Sequence, residues 1–208
     1  MIQGTDEWKQ ARLGRVTASR IADVIAKTAK GAPGATRKNY LAELVAERLT
    51  GTPTEGYTNA AMQHGIDTEP QARAAYEFFN SLTVEEIGFV PHPTIKMSGA
   101  SPDGLLGDDG LIEIKCPNTA THIDTLLSGA IPDKYIVQMQ WQMACTGRAW
   151  TDFVSFDPRM PEHLRLFCRR LDRDKKRIAE LEDMVREFLK ELDATVKALN
   201  GVNVLVAA

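Results

Sequence analysis

The feature that most constrains this chain is a short segment in which two apolar runs flank a turn rich in aspartate and glycine. It reads Ser101-Pro-Asp-Gly-Leu-Leu-Gly-Asp-Asp-Gly-Leu-Ile-Glu-Ile-Lys115, and this pattern predicts a β-hairpin. Because successive side chains on a strand point to opposite faces, Glu113 and Lys115 share one face while Ile112 and Ile114 face a core. The segment therefore predicts a sheet that holds two opposite charges side by side.

The length of the hairpin loop decides where Asp103 lies. If residues 107–109 form the connection, strand pairing places Asp103 directly opposite Glu113. With a two-residue turn at 108–109, the partner of Glu113 is Gly104, and Asp103 faces the other side unless a bulge re-aims it. The sequence leaves both registers open.

In the first register the hairpin brings together groups that suit phosphodiester hydrolysis. Two carboxylates with the Ile114 carbonyl nearby are the oxygen ligands that Mg²⁺ or Mn²⁺ prefers. Lys115 can hold the attacking water, help to deprotonate it and offset negative charge in the transition state. The alternative is a surface hairpin whose charges are solvated and whose Glu113 and Lys115 form an exposed pair.

Charge is unevenly distributed along the chain. The formal net charge of -3 argues against a protein that coats nucleic acid through bulk positive charge. Residues 1–50 hold nine Lys and Arg against five Asp and Glu, whereas residues 51–110 hold two against nine. A basic region beside an acidic one suits a phosphate-handling enzyme in which cations balance carboxylates, and chance variation in solvated charge is the alternative.

The cysteines and the hydropathy limit the class of protein. Cys116, Cys145 and Cys168 form no Cys-x-x-Cys pair, so we expect free thiols and no four-thiolate metal cluster. No window reaches the roughly 18 to 20 apolar residues that a membrane span needs, and the N-terminus lacks the pattern of a secretory signal. We therefore expect a cytoplasmic protein with no membrane partner.

Apolar periodicity predicts both helices and strands, the α/β (α+β) class, and the length suits one domain over residues 1–208, or one domain with a docked terminal element. The predicted helices cover 6–28 (capped by Thr5 or Asp6, with a second start at Thr17 or Ser19), 39–50, 70–80, 134–146 and about 172–199. The predicted strands cover 84–90, 95–100, 111–115 and 150–156. We expect the last helix to pack on its own domain or on a neighbouring subunit, and residues 30–38 to form an exposed basic loop.

Five segments together resemble one branch of the PD-(D/E)XK nuclease superfamily. They are the Ser-Pro-Asp-Gly and Ile-Glu-Ile-Lys-Cys-Pro runs of the hairpin, Trp8-x(3)-Arg12-Leu-Gly-x-Val-Thr-Ala-Ser19, Gly65-x(3)-Glu69 and Tyr135-x-x-Gln138-x-Gln140. Their order is similar to that of the lambda exonuclease type, which includes viral alkaline exonucleases and YqaJ-like recombination nucleases. The resemblance covers about Thr5 to Phe156.

The resemblance implies a restriction-endonuclease-like core, in which helices flank a mixed central β-sheet. It implies an exonuclease with two Mg²⁺ ions per active site, or Mn²⁺ in their place, that digests one strand of linear duplex DNA from the 5' end to mononucleotides. It also implies a processive homotrimeric ring of phage or prophage origin in a bacterial host cell. This ring would act on double-stranded DNA ends and pass the 3' single-stranded tail to a single-strand annealing protein.

The resemblance also implies roles for single residues at the catalytic centre. Asp103 and Glu113 match the carboxylates that bind the metal, together with the Ile114 carbonyl, and Lys115 matches the catalytic lysine. Glu69 matches a further acid near a metal, although an acid is also favoured at a helix start. Gln138 matches a glutamine on the helix after the catalytic strand, and internal hydrogen bonding is its alternative.

A second implied site binds the terminal 5' phosphate. Arg12, Ser19 and Ser101 match its residues, and arginine and hydroxyl groups are suitable phosphate donors. The alternatives are that Arg12 pairs with Asp6 or Glu7 and that Ser19 caps a helix. Where some members have a second arginine, this chain has Thr121 followed by His122, which weakens the expected discrimination for a 5' phosphate.

Other polar and aromatic residues have less specific interpretations. We expect Lys27, Lys30, Arg37 and Lys38 to contact the DNA backbone. We expect the three tryptophans, Trp8, Trp141 and Trp150, to belong to the core rather than to stack on bases. Two rival functions remain: a structure-specific or restriction-type endonuclease on the same fold, and a protein that binds DNA ends without cleaving them.

Overall fold

The computed structural model describes residues 1–54 and 60–202. Within these residues the helices are α1 (Asp6–Arg12), α2 (Ile21–Val24), α3 (Ala35–Thr50), α4 (Ala60–Asn80), α5 (Thr119–Ser128), α6 (Asp133–Thr146) and α7 (Lys175–Asn200). The strands are β1 (Val16–Thr17), β2 (Val84–Glu85), β3 (Val90–Pro91), β4 (Ser98–Ala100), β5 (Gly104–Leu106), β6 (Gly110–Lys115), β7 (Trp150–Phe156) and β8 (Leu166–Asp172).

The strands form a central sheet and a smaller one. The five-stranded sheet has the order β2-β5-β6-β7-β8, in which β6 and β7 are parallel and the other pairs are antiparallel. The three-stranded sheet has the order β1-β4-β3. A mixed sheet flanked by helices is the architecture that the family resemblance implied, and this expectation is confirmed.

The side chains of β6 alternate between two helical layers. Ile112 and Ile114 pack in one cluster with Ala72 and Tyr76 of α4. Leu111 packs in another cluster with side chains of α6 and α7. The odd-numbered residues of β6 therefore face α6, which places Glu113 on that side of the sheet.

The predicted helix over 6–28 is interrupted after Arg12, so a continuous helix is wrong. Its Thr5 cap is confirmed by a hydrogen bond from the Trp8 backbone N–H to Thr5 Oγ1 (3.3 Å), and its second start at Thr17 is confirmed by the 3₁₀ turn at Ala18–Arg20 and by α2. Helix α1 ends at Arg12, and Gly14 then takes a left-handed conformation (φ +64°) that glycine adopts without steric cost. The chain next pairs with β4 instead of continuing as a helix. Pairing with a segment about 80 residues away therefore overrides the local helical pattern.

Other boundaries also differ from the predictions. The expected strand at 84–90 is divided between β2 and β3, which belong to different sheets. The strand expected at 95–100 begins only at Ser98, because Met97 has a positive φ of 61°. The helix expected over 70–80 begins at Ala60, with Pro70 in its interior.

Three elements, β1, α5 and β8, were not predicted, whereas three others match closely. Helix α6 and strands β6 and β7 lie within one residue of their expected bounds. Helix α7 packs on its own chain, where Leu181, Val185, Phe188 and Leu192 are buried with side chains of α3.

The three cysteines are free thiols, as expected. None of the helices in the described residues is long and apolar enough to cross a membrane.

Candidate active site

The β5–β6 hairpin has the three-residue connection, which confirms the first register. Gly104 pairs with Ile112 and Leu106 with Gly110, so Asp103, one residue before β5, lies opposite Glu113. The Asp103 carboxylate accepts a hydrogen bond from the Ile114 backbone N–H at 2.7 Å. A Cβ at Gly104 would come within 2.2 Å of a Val84 methyl group, so glycine is needed where β2 packs.

Glu113 is fully buried and its carboxylate is surrounded by donors. Gln138 donates to Glu113 Oε1 at 2.6 Å, and Gln142 donates to Oε2. Lys115 forms an ion pair with Oε1. The alternative of an exposed Glu–Lys pair is therefore wrong, because Glu113 is buried. A buried carboxylate needs donors such as Gln138, Gln142 and Lys115 to replace its contacts with water.

Negative charge is concentrated at this point of the sheet. Burial, followed by repulsion from Glu113, raises the pKa of Asp103 well above its ordinary value. Burial opposes the charged form of Lys115, but the Glu113 and Asp103 carboxylates outweigh it and raise the Lys115 pKa. A buried and a half-buried carboxylate, balanced by only one lysine, are oxygen donors that a divalent cation would stabilise.

A cavity of about 190 Å³ joins the hairpin to the N-terminal segment. Its lining combines both of the sites that the resemblance implied: Gln3, Trp8, Arg12, Ala18, Ser19, Ser101, Asp103, Glu113, Lys115 and Gln138. Within the described residues no group of three or more His, Cys, Asp or Glu side chains is arranged to hold a metal. The carboxylates that line this cavity are those of Asp103 and Glu113.

Glu69 and Asp103 both line a neighbouring cavity of about 510 Å³. Arg73 donates to Glu69 at 2.7 Å and to Glu86 at 2.6 Å. Burial raises the pKa of Glu69, and Glu113 and Lys115 are among the charges that act on it. Glu69 lies in the interior of α4 rather than at its start, so the helix-start interpretation is wrong.

Arg12 turns inward rather than pairing with the acids of its own helix. Asp6 pairs instead with Lys9 (3.0 Å), while Arg12 donates to Ser101 Oγ at 3.2 Å. The Arg12 guanidinium lies 4.2 Å from the centroid of the Trp8 ring, and Trp8 Nε1 also donates to Ser101 (2.9 Å). Burial lowers the pKa of Arg12. The core interpretation of Trp8 is wrong, because its ring lines the cavity.

Ser19 lies on the same cavity, within a short 3₁₀ turn at Ala18–Arg20. Its hydroxyl is 3.4 Å from that of Thr17. Neither this turn nor α2 has a side-chain cap from Ser19, so the helix-cap alternative is wrong.

Thr121 and His122 do not join the site. Thr121 is exposed in the first turn of α5 and is not part of the cavity lining. His122 is fully buried, with its ring nitrogens 2.8 Å from Ser155 Oγ and 2.8 Å from the Leu164 carbonyl. His122 therefore holds α5 against the segment that precedes β8 and has a structural role.

The basic segment near residue 30 is only partly the loop that was expected. Lys27, Lys30 and Lys38 are exposed, and their contact with DNA stays a prediction. Arg37 lies in α3, pairs with Glu191 at 2.7 Å and stacks on Phe188. The expectation of a solvent-facing loop arginine is wrong at this position.

Gln142 is a contact of Glu113 that the sequence did not reveal. It is fully buried, one helical turn after Gln138 on α6. The four-residue spacing places both amides on one face of the helix and was the available signal. An apolar helix that contains glutamines at every second position gave no indication of which of them faced the sheet.

A comparison with protein-family models identifies the family of the chain. The model described as the YqaJ-like viral recombinase domain matches residues 7–149. The chain belongs to this YqaJ-like family. The match includes the hairpin, Glu69, Gln138 and the N-terminal segment with Arg12. The resemblance drawn from those motifs is therefore confirmed.

Solved structures similar to this YqaJ-like chain include an alkaline exonuclease, LHK-Exo, from Laribacter hongkongensis. It is 55% identical, with a TM-score of 0.88, and the match covers 94% of this chain and 96% of that one. A complex of LHK-Exo with dAMP matches equally well, at 55% identity and a TM-score of 0.88, covering 94% and 96% of the two chains.

A phage related exonuclease from Haemophilus somnus 129PT is similar in fold, with 18% identity and a TM-score of 0.73, covering 92% of this chain and 99% of that one. These neighbours confirm the restriction-endonuclease-like fold. A comparison with curated proteins gave no match.

Proposed function

We propose that this chain is a metal-dependent exonuclease that digests one strand of linear double-stranded DNA from its 5' end and releases mononucleotides. One observation carries the proposal: Asp103, Glu113 and Lys115 line the same cavity as Arg12, Ser19 and Ser101. The 55% identity to an alkaline exonuclease over 94% of the chain supports nuclease activity. The dAMP complex of that relative supports a mononucleotide product.

The residues at the hairpin suit hydrolysis of a phosphodiester. Asp103, Glu113 and the Ile114 carbonyl would hold Mg²⁺ or Mn²⁺, with Glu69 near a second ion, and the metal would act as a Lewis acid on the phosphate. Lys115 Nζ would orient the attacking water and offset negative charge as it develops on the phosphate oxygens. Gln138 would keep Glu113 Oε1 directed at this point.

The other end of the cavity suits a terminal phosphate. Arg12 has no carboxylate partner among residues 1–54 and 60–202, and its hydrogen bond goes to a neutral hydroxyl. A half-buried guanidinium with two serine hydroxyls supplies strong hydrogen-bond donors to a phosphate dianion. Binding the 5' phosphate there would place a phosphodiester further along the strand at Asp103 and Lys115.

The proposal extends to assembly and partners on the strength of the family. We propose a homotrimeric ring that acts on duplex ends in the cytoplasm of a bacterial host and delivers its 3' tail to a single-strand annealing protein. We also propose that one nuclease domain makes up residues 1–208. The rivals are an endonuclease on the same fold and a protein that binds DNA ends without cleavage.

Labelled duplexes distinguish these functions. We expect linear duplex to release 5'-labelled mononucleotides in Mg²⁺ before any 3' label, and covalently closed circular duplex to remain intact. Conversion of the circle to nicked or linear forms would favour the endonuclease. Early release of the 3' label would reverse the polarity, and DNA-end binding without any release would favour the non-catalytic protein.

Replacing Arg12 with alanine is expected to abolish the preference for 5'-phosphorylated ends. A charge-assisted hydrogen bond contributes about 1.5–3 kcal/mol, so KM for phosphorylated ends should rise roughly 10- to 100-fold. Initial rates on 5'-phosphoryl and 5'-hydroxyl duplexes measure this effect. Lys9→Ala is the matched control, because Lys9 lies on the same helix but pairs with Asp6. An unchanged preference in Arg12→Ala would remove Arg12 from phosphate binding.

A further inference from the structure

The two oxygens of the Glu113 carboxylate have different partners. Oε1 accepts from Gln138 and pairs with Lys115, and both of these residues line the cavity. Oε2 accepts from Gln142, which is not part of the lining. Gln142 therefore contacts the carboxylate from behind, on the side away from the cavity.

Gln142 and Glu113 are both fully buried. The amide orientation of Gln142 is determined by this contact, because its oxygen would repel the carboxylate whereas its N–H groups donate to it. The contact is charge-assisted and therefore stronger than a bond between neutral groups. The Glu113 carboxylate is held in one rotation about its last side-chain bond by a donor on each oxygen.

The remaining polar atom of Gln142 is a cost to the fold. Its Oε1 is buried and has no hydrogen-bond partner within the described part of the chain. An unsatisfied buried acceptor is unfavourable, and the charge-assisted hydrogen bond from Gln142 to Glu113 offsets this cost. Within the described part of the chain, the hydrogen bond to Glu113 is the only one that the Gln142 side chain makes.

We propose that Gln142 is a positioning residue that holds the Glu113 carboxylate in the orientation in which it binds the divalent cation. This inference rests on the proposed function, because it requires a cation at Asp103 and Glu113. Residues that orient a metal ligand from outside the coordination shell typically contribute 10- to 100-fold to metal affinity. Gln142 lies outside the Tyr135-x-x-Gln138-x-Gln140 motif, so the family resemblance does not assign it this role.

Direct binding of Mn²⁺ to the full chain tests the proposal, with free Mn²⁺ followed by electron paramagnetic resonance. We expect Gln142→Met, which keeps the length of the side chain, to weaken Mn²⁺ binding roughly 10- to 100-fold. Gln142→Asn, whose amide is one methylene too short, should show a similar loss and replaces the first variant if that one fails to fold. The Mg²⁺ concentration for half-maximal digestion should rise in parallel, while kcat at saturating Mg²⁺ stays within a few-fold.

Gln140→Met is the matched control. Gln140 is also buried on α6, but it bonds to the Asp172 carbonyl and the Asp174 N–H near the start of α7. We expect Gln140→Met to lower the thermal stability without changing the affinity for Mn²⁺. Equal weakening in the Gln140 and Gln142 variants would indicate a general packing effect and would overturn the proposal.

Asp103→Asn separates failure of the inference from failure of the function. If wild-type protein binds Mn²⁺ and Asp103→Asn does not, an unchanged affinity in a folded Gln142 variant overturns the positioning role alone. If wild-type protein shows no binding that depends on Asp103, the metal site and the positioning role fall together.

Discussion

Replacing Lys115 with alanine is expected to lower the rate of duplex digestion by roughly 10²–10⁴-fold, the range for loss of a positioned charge or proton-transfer group. The side chain is about a quarter exposed and borders the cavity, where it pairs with Glu113. Removing it withdraws the positive charge nearest to the two carboxylates and the group proposed to orient the water. The measurement is the single-turnover rate on a linear duplex in saturating Mg²⁺, with binding to DNA ends followed separately.

The control for Lys115→Ala is Lys134→Ala. Lys134 is an exposed lysine that lies over the same Tyr135 ring, at 4.7 Å, as Lys115 does at 5.4 Å. We expect Lys134→Ala to digest DNA at close to the wild-type rate. Because loss of Lys115 leaves Glu113 with fewer partners, thermal unfolding must show that the variant is folded. A folded Lys115→Ala protein with normal activity would eliminate the lysine from the reaction.

The part of the site that the sequence predicted is the part that depends on one strand or one turn. Alternation along β6 places Glu113 and Lys115 on one face whatever the rest of the fold does. The three-residue loop then places Asp103 opposite Glu113. Pairing between adjacent strands needs only local information, which explains why the hairpin and the shared face of Glu113 and Lys115 could be predicted. The length of the loop, and with it the position of Asp103, stayed open until the structure showed the register.

Contacts between distant segments were not predictable in the same way. The chain after Arg12 is helical by pattern, yet Val16 and Thr17 pair with Ser98 and Gly99. The inward turn of Arg12 depends on that pairing, because Ser101 follows β4 directly. Pattern alone could not distinguish an arginine on a surface helix from one held against a hydroxyl 89 residues away.

Helix α5 was missed for a different reason, because its sequence contains signals for both ends of a helix but few residues that favour a helix between them. Asn118 caps its start by accepting from the Thr121 N–H, and Gly129 ends it in a left-handed conformation. Threonines within the helix have low helix propensity, so the two caps alone did not lead to the prediction of a helix. Burial of His122 against β7 stabilises a helix whose composition alone does not favour it.

The second large effect is expected for Asp103→Asn, which should abolish metal-dependent digestion and at the same time stabilise the metal-free protein. Asparagine keeps the acceptor for the Ile114 N–H but removes a negative charge that burial and Glu113 make unfavourable. Each kcal/mol gained raises Tm by about 2–4 °C in a chain of this size. Thermal unfolding without metal, and digestion rates with it, measure the two parts.

The dependence of Tm on Mg²⁺ then identifies the cause. A cation that binds only the folded protein stabilises it by an amount that grows with its concentration relative to Kd. Wild-type Tm should therefore rise with Mg²⁺, whereas Asp103→Asn should start higher and stay nearly constant. Asp108→Asn, in the exposed turn of the same hairpin, should behave as wild type. If Mg²⁺ raises the Tm of Asp103→Asn as much as that of Asp108→Asn, the stabilising cation does not need the Asp103 carboxylate and binds elsewhere.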